Sequence, residues 1–96
     1  DIIYIQTENK LLILHTIHGD VQSSQRMNEL EKRLSTKQFY RCHNSYMVNF
    51  DYVEGVKQDS VLIKDKAQKL KTIPVSKYKK EEFMRALARY VGKWEN

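Results

Sequence analysis

The sequence predicts a mostly β fold, antiparallel β-sheets carrying two short helices, in a single domain over residues 1–96. Short apolar or alternating runs separated by tight polar turns point to the strands, and two segments in which apolar residues recur every three or four positions point to the helices. The third observation is bulk: 41% of the chain is hydrophobic, with six tyrosines, three phenylalanines and one tryptophan, which excludes a disordered chain. A chain of this length buries one core without disulfides. Its one cysteine closes no intramolecular bridge, so a cytoplasmic setting is expected. The longest apolar runs, such as residues 11–14, are too short to span a bilayer and none resembles a signal peptide, so no membrane partner is expected. Asp1 opens on a strand-like run without an initiating methionine, as expected of a piece cut from a longer protein.

DIIYIQ is an apolar, β-branched run ending at the polar turn TENK, and LLILHTI follows before HGD. Residues 1–24 therefore read as antiparallel strands joined by tight turns. From Ser24 the period changes: Met27, Leu30 and Leu34 lie at helical spacing with charges opposite, so Ser24 is the expected N-cap of a short amphipathic helix packed as a lid on a sheet edge. Strands resume in DYVEGVKQDSVLIKDKAQKLKTIPV, with turns at QDS and KDK and with Val53, Val56, Val61, Ile63, Leu70, Ile73 and Val75 as core residues. Pro74 donates no ladder hydrogen bond and belongs at an edge or a strand end. The segment SKYKKEEFMRALARYVGKW predicts the second helix, with Ser76 accepting from its first turn and Phe83, Leu87 and Tyr90 or Val91 as its buried stripe.

The formal charge is +5, but residues 64–80 alone hold seven lysines against Asp65, a local charge of +6 beside a remainder near neutrality at −1. A basic excess confined to one segment favours polyanions. On charge alone a solvated lysine-rich turn accounts for it equally well. Lys77, Lys79 and Lys80 at a helix start oppose the helix dipole and so add little stability there. The same arrangement of free N–H groups, Ser76 and lysine heads suits a phosphate.

The densest stretch is FYRCHNSYMVNF, residues 39–50. In an extended segment Cys42 and His43 point to opposite faces, so they form no nucleophile and base pair. His15, His18, Cys42 and His43 lack the spacing of a metal site, although His15 and His18 could meet by folding. With no glycine-rich phosphate loop either, the expectation is no enzyme, no cofactor and no small-molecule substrate. A binding surface remains: Arg41, Asn44 and Ser45 are polar groups in a non-helical segment, and an asparagine amide offers an adenine edge a donor and an acceptor together. As turn residues, Asn44 and Asn49 would instead bond their own backbone. Phe39, Tyr40, Cys42, Tyr46, Val48 and Phe50 are assigned to the core.

FYRCHNSYMVNFDYVEGV resembles the central signature of LytTR-type DNA-binding domains, through Phe39, Arg41, His43, Asn44, Ser45, Tyr46, Met47, Val48 and Asn49. DIIYIQTENK is similar to that family's opening strand and polar loop, and IPVSKYKKEEF to its closing P-V-S before a basic helix; the resemblance covers nearly the whole chain. It implies a LytTR-like antiparallel β fold and the output domain of a bacterial transcriptional response regulator behind a receiver domain. The implied partner is double-stranded DNA at promoter repeats, with a second copy on tandem sites and loops in successive major grooves. By the same resemblance Asn44 is a base contact and Ser45 a phosphate contact, joined by Arg41 and His43. Lys10 in the first loop is a further base contact. After the P-V-S serine, Ser76 matches a phosphate contact and Lys77, Tyr78 or Lys79 the base-reaching side chain; Lys77 and Tyr78 are assigned to bases, Lys79 and Lys80 to phosphates. Many members carry arginine at the Asn44 position or in the Lys77 to Tyr78 pair, and lysine lacks arginine's planar fork.

Two other classes compete. One is a protein-interaction module that meets an acidic partner through the lysine-rich patch. The other binds single-stranded nucleic acid by stacking on Tyr40, Tyr46 or Tyr78, which burial of those rings would exclude.

Overall fold

The computed structural model describes residues 2–35 and 37–95, and among them eight strands form two antiparallel sheets. The chain runs through β1 (Ile2–Glu8), β2 (Leu11–Thr16), β3 (Gly19–Ser23), α1 (Met27–Arg33), β4 (Phe39–His43) and β5 (Tyr46–Asn49). After a 3-10 turn (Phe50–Tyr52) come β6 (Val53–Lys57), β7 (Ser60–Lys64), β8 (Leu70–Pro74) and α2 (Lys80–Glu95). The larger sheet has the order β3-β2-β1-β5-β4 and the smaller one β6-β7-β8. The antiparallel class with two helices is the one the turn spacing predicts.

Strand β1 reads as an unbroken apolar run because it lies in the middle of the larger sheet and is buried on both faces. Its pairs with β5 alternate: Tyr4 with Val48 faces one way, Ile5 with Met47 the other. A bulge between Ile2 and Tyr4 turns Ile3 to the same side as Tyr4. On the Ile5 face, Leu12 and Met47 pack under Met27 and Leu30 of α1. On the Tyr4 face, Val61, Ile63 and Ile73 of the smaller sheet, Val75 just beyond it, and Phe83 and Ala86 of α2 close the main core. Phe83 is fully buried, its ring 5.5 Å from Tyr40 and 5.9 Å from Phe50. Burying one such side chain contributes about 1.5–3 kcal/mol.

Several sequence expectations need correction. Helix α1 begins at Met27, not after Ser24: β3 continues to Ser23, whose Oγ accepts from Gln25 N–H at 3.1 Å and uses those residues in a turn. Arg26 takes the N-cap position without a side-chain cap. The helix also covers the middle of a sheet face rather than an edge, since its stripe meets Ile5 of the central strand. Helix α2 begins at Lys80, so Ser76 does not cap it; Lys79 N–H donates to Ser76 O at 2.9 Å and closes a separate turn first. Val56 and Leu70 are exposed, because both sit on edge strands of the smaller sheet while Val61 and Ile63 of its central β7 take the buried positions. On α2 the exposed member of the stripe is Val91. Pro74 ends edge strand β8, where its missing N–H costs no ladder bond.

Candidate nucleic-acid interface

Three turns meet at one end of the larger sheet. The β1–β2 turn places Asn9 and Lys10 at φ 50° and 67°, the paired left-handed conformation of a tight hairpin whose twist matches its strands. Asparagine tolerates that region at little cost, and Lys10 is left exposed at the tip. The β4–β5 turn carries Asn44 and Ser45 beside it, since β1 and β5 pair with Gln6 opposite Tyr46, and Thr7 N–H donates to Ser45 O at 2.9 Å. The third turn, residues 76–79, is tied to the end of β4 by Ser76 N–H donating to Cys42 O at 2.7 Å and Lys79 Nζ donating to Arg41 O at 3.2 Å.

The side chains at this end divide sharply. Lys10, Asn44, Lys77 and Tyr78, the four residues expected to reach bases, are exposed, and their side chains have no hydrogen-bond or ion-pair partner among the described residues; Tyr78 is 94% exposed. The residues expected to hold phosphates are mostly engaged within the protein. Arg41 Nη1 donates to Asn28 Oδ1 and, at 3.3 Å, to Glu31 Oε1, while Nη2 donates to Asn44 O at 2.8 Å. His43 Nδ1 accepts from Ser45 N–H at 3.1 Å, and its ring meets Tyr46 edge-on. Lys80 lies 3.7 Å from Asp59, an exposed pair that screening leaves weak. Ser45 and Ser76 are half-buried in their turns.

The lysine-rich segment does not form one patch. Ser60 pairs with Pro74 and Lys64 with Leu70, so β7 and β8 separate the two ends of the segment. Lys77, Lys79 and Lys80 lie at the end of the three turns, whereas Lys64, paired with Glu54 at 3.8 Å, and Lys66 lie at the other. Lys66 Nζ is 3.9 Å from where a Cβ on Gly19 would stand, at the start of β3. Asp65 closes the intervening loop by accepting from Lys69 N–H at 3.0 Å and Ala67 N–H at 2.8 Å, bonds that hold its carboxyl below the ordinary aspartate range.

The remaining chemistry-bearing side chains are spent internally. Burial pushes the Cys42 thiol up to about 12, and its Sγ lies 3.5 Å from Pro74 O, so it stays protonated and unreactive. His15 lies between Asp20 Oδ1 at 3.0 Å and Gln6 Oε1 at 2.7 Å, stacked on Tyr4 at 4.1 Å. Tyr40 and Tyr46 pack against the main core, which leaves Tyr78 as the one of the three tyrosines with an open ring. Sequence reasoning missed Asn28 and Glu31, which sit 13 and 10 residues before Arg41 on a helix whose exposed charges carry no local signal.

The family model described as the LytTr DNA-binding domain matches residues 1–88. The chain belongs to the LytTr DNA-binding domain family. The family is defined by DNA binding rather than by a reaction. Relatives of the LytTr chain include the transcriptional regulatory protein LytR of Staphylococcus aureus strain N315, 34% identical over 58 residues, which cover 60% of this chain and 24% of that protein. The sensory transduction protein LytT of Oceanobacillus iheyensis is 36% identical over 76 residues, covering 73% of this chain and 30% of that protein. The LytTr chain thus spans 24% to 30% of the length of the relatives it matches. A solved LytTr DNA-binding domain from Bacillus cereus superposes with a TM-score of 0.76 at 20% identity, over 90% of this chain and 80% of that one, and shows the same fold. Among the described residues of the LytTr chain no helix is long and apolar enough to cross a membrane.

Proposed function

We propose that this domain is the effector part of a transcriptional response regulator and reads specific duplex DNA with the turns at one end of its larger sheet. The observation that carries the reading is the meeting of three turns there with the side chains of Lys10, Asn44, Lys77 and Tyr78 exposed and without internal partners. An amide on a backbone held at several points presents a fixed donor and acceptor pair, which is what recognition of an adenine edge in the major groove requires. Lysines 79 and 80 and the hydroxyls of Ser45 and Ser76 surround these base readers and supply phosphate contacts, with affinity that falls steeply with salt. Two copies on tandem repeats would double the recognised length without new contacts within one domain.

The test is selection of preferred duplexes from a random pool at fixed salt, with Asn44→Ala beside the wild type. The expected result is a short enriched motif that loses information at one position in the variant, by about 1–3 kcal/mol at that base pair. Equal weakening on every sequence would remove Asn44 from the readers. No enrichment, with weak salt-sensitive binding to all polyanions, would favour an acidic partner instead.

A further inference from the structure

We propose that Arg41 is a positioning residue for DNA reading, through which helix α1 sets the orientation of the turn that presents Asn44. The inference rests on the reading of Asn44 given above and adds a role outside the DNA-contacting surface.

A phosphate contact needs its charge turned to solvent, and the Arg41 side chain is only 17% exposed. Its two terminal nitrogens are both committed, Nη1 to Asn28 and Glu31 of α1 and Nη2 to Asn44 O. The carbonyl of Asn44 and the N–H of Ser45 belong to one planar peptide. That plane is gripped at both ends: Arg41 donates to its oxygen at 2.8 Å, and His43 Nδ1 accepts from its N–H at 3.1 Å. Fixing the plane fixes the last backbone rotation of Asn44 and the first of Ser45, and so helps aim the Asn44 side chain. A base contact depends on that aim, because a misplaced amide loses one of its two bonds.

Helix α1 supplies the other half of the grip. Without Asn28 and Glu31 the guanidinium would keep its charge but lose the partners that hold its fork in place. Lysine at position 41 would keep the charge and lose the fork, since one ammonium does not span both sites in the guanidinium's plane. The Arg41 carbonyl also receives Lys79 Nζ at 3.2 Å, so the same residue links the Asn44 turn to the third turn.

The experiment uses the whole chain with its selected duplex and single-base variants of it, across a salt series. It compares wild type, Asn44→Ala, Arg41→Lys, Arg41→Ala and the double variant Asn28→Ala with Glu31→Ala, whose side chains lie on the exposed face of α1. Urea unfolding checks that each is folded. The expected result is that Arg41→Lys and the double variant each lose about fivefold or more in discrimination at the base pair read by Asn44, the lower end of what one such contact supplies. The slope of affinity against salt should stay as in wild type. Exchange of the Ser45 amide in the free protein should accelerate in both, a readout independent of DNA. If Arg41→Lys is indistinguishable from wild type while Arg41→Ala weakens every duplex alike and lowers the salt slope by about 0.9, Arg41 is a phosphate contact and the proposal is overturned. Unchanged Ser45 exchange overturns it as well. If Asn44→Ala keeps full discrimination although Ser45 exchange accelerates in the other variants, the reading of Asn44 fails, and the grip is a stabilising contact alone.

Discussion

Asn49→Ala tests how the two central strands are tied together at the end of the larger sheet opposite the three turns. Asn49 is 1% exposed, the one buried polar residue among the described residues. Its Nδ2 donates to Ile2 O at 2.7 Å and its Oδ1 accepts from Asp51 N–H at 2.9 Å, so one side chain ties the end of β5 to the start of β1 and caps the 3-10 turn. Alanine leaves one acceptor and one donor without these partners. At about 1–3 kcal/mol for each, with water reaching half-buried Ile2, the expected loss is about 2–4 kcal/mol. A domain of this size has roughly 5–15 kcal/mol in all, so the loss is large. In urea, with a slope of about 1 kcal/mol per molar for a small domain, the midpoint followed by far-ultraviolet circular dichroism should fall by about 2–4 M. Asn49→Asp should be no better: its carboxylate still accepts from Asp51 N–H but offers Ile2 O no donor and sets negative charge beside that carbonyl. The folded fraction of either variant should select the same DNA motif. A midpoint shift below about 0.5 M for Asn49→Ala would show that water replaces both bonds at almost no cost and would refute the argument.

Phe83→Ala should destabilise by about 3–5 kcal/mol in the same assay, because the ring is fully buried between Tyr40 and Phe50 and its removal opens a cavity. Lys80→Ala, whose pair with Asp59 is exposed and weak, should lower the slope of log affinity against log salt by about 0.9 on any duplex, whereas Lys64→Ala, at the far end of the smaller sheet and paired with Glu54, should leave it unchanged; equal effects would mean both ends meet DNA. Burial raises Cys42 from its ordinary value of 9.0 to about 12, so the folded state holds that proton more tightly than the unfolded chain. Its contribution is therefore complete below about pH 9 and is lost as the pH rises toward 12, a decline of roughly 3 kcal/mol by about pH 11. Tyr40, raised to about 12 chiefly by burial and then by Glu82, acts in the same direction. Urea midpoints taken at rising pH check the sign, and a midpoint that climbs across this interval would contradict it. At neutral pH a thiol reagent should label Cys42 only as fast as the protein unfolds; rapid labelling of the native state would contradict its burial.

Much of this fold is legible along the chain because its signals are local. The turns at TENK, HGD, QDS and KDK interrupt apolar runs, and the pairing of β1 with β2 and of β7 with β8 follows from short connections. The spacing of Met27 and Leu30, and that of Phe83, marks helices, yet their starts are misplaced by a few residues, since capping competes with turns that Ser23 and Ser76 join instead. Val56 and Leu70 look like core in sequence and are exposed, because an edge strand carries the same alternation as a central one while less of it is covered.

The candidate site divides in the same way. Asn44, Lys10, Lys77 and Tyr78 stand out as turn or loop residues within motifs that resemble a family, and sequence alone determines that they are polar or aromatic side chains on short connections. That their three turns share one end of a sheet is decided by the order β3-β2-β1-β5-β4, which seats β1 between two hairpins. The same packing divides the lysine-rich segment between two ends, gives Arg41 its partners on α1 and carries Asn49 to a carbonyl 47 residues away. Periodicity and turn chemistry depend on backbone geometry over a few residues, so the sequence carries them openly. Which charges stay free and which are engaged depends on elements distant in the chain, brought together when the two faces of β1 are buried, and that only the tertiary structure decides.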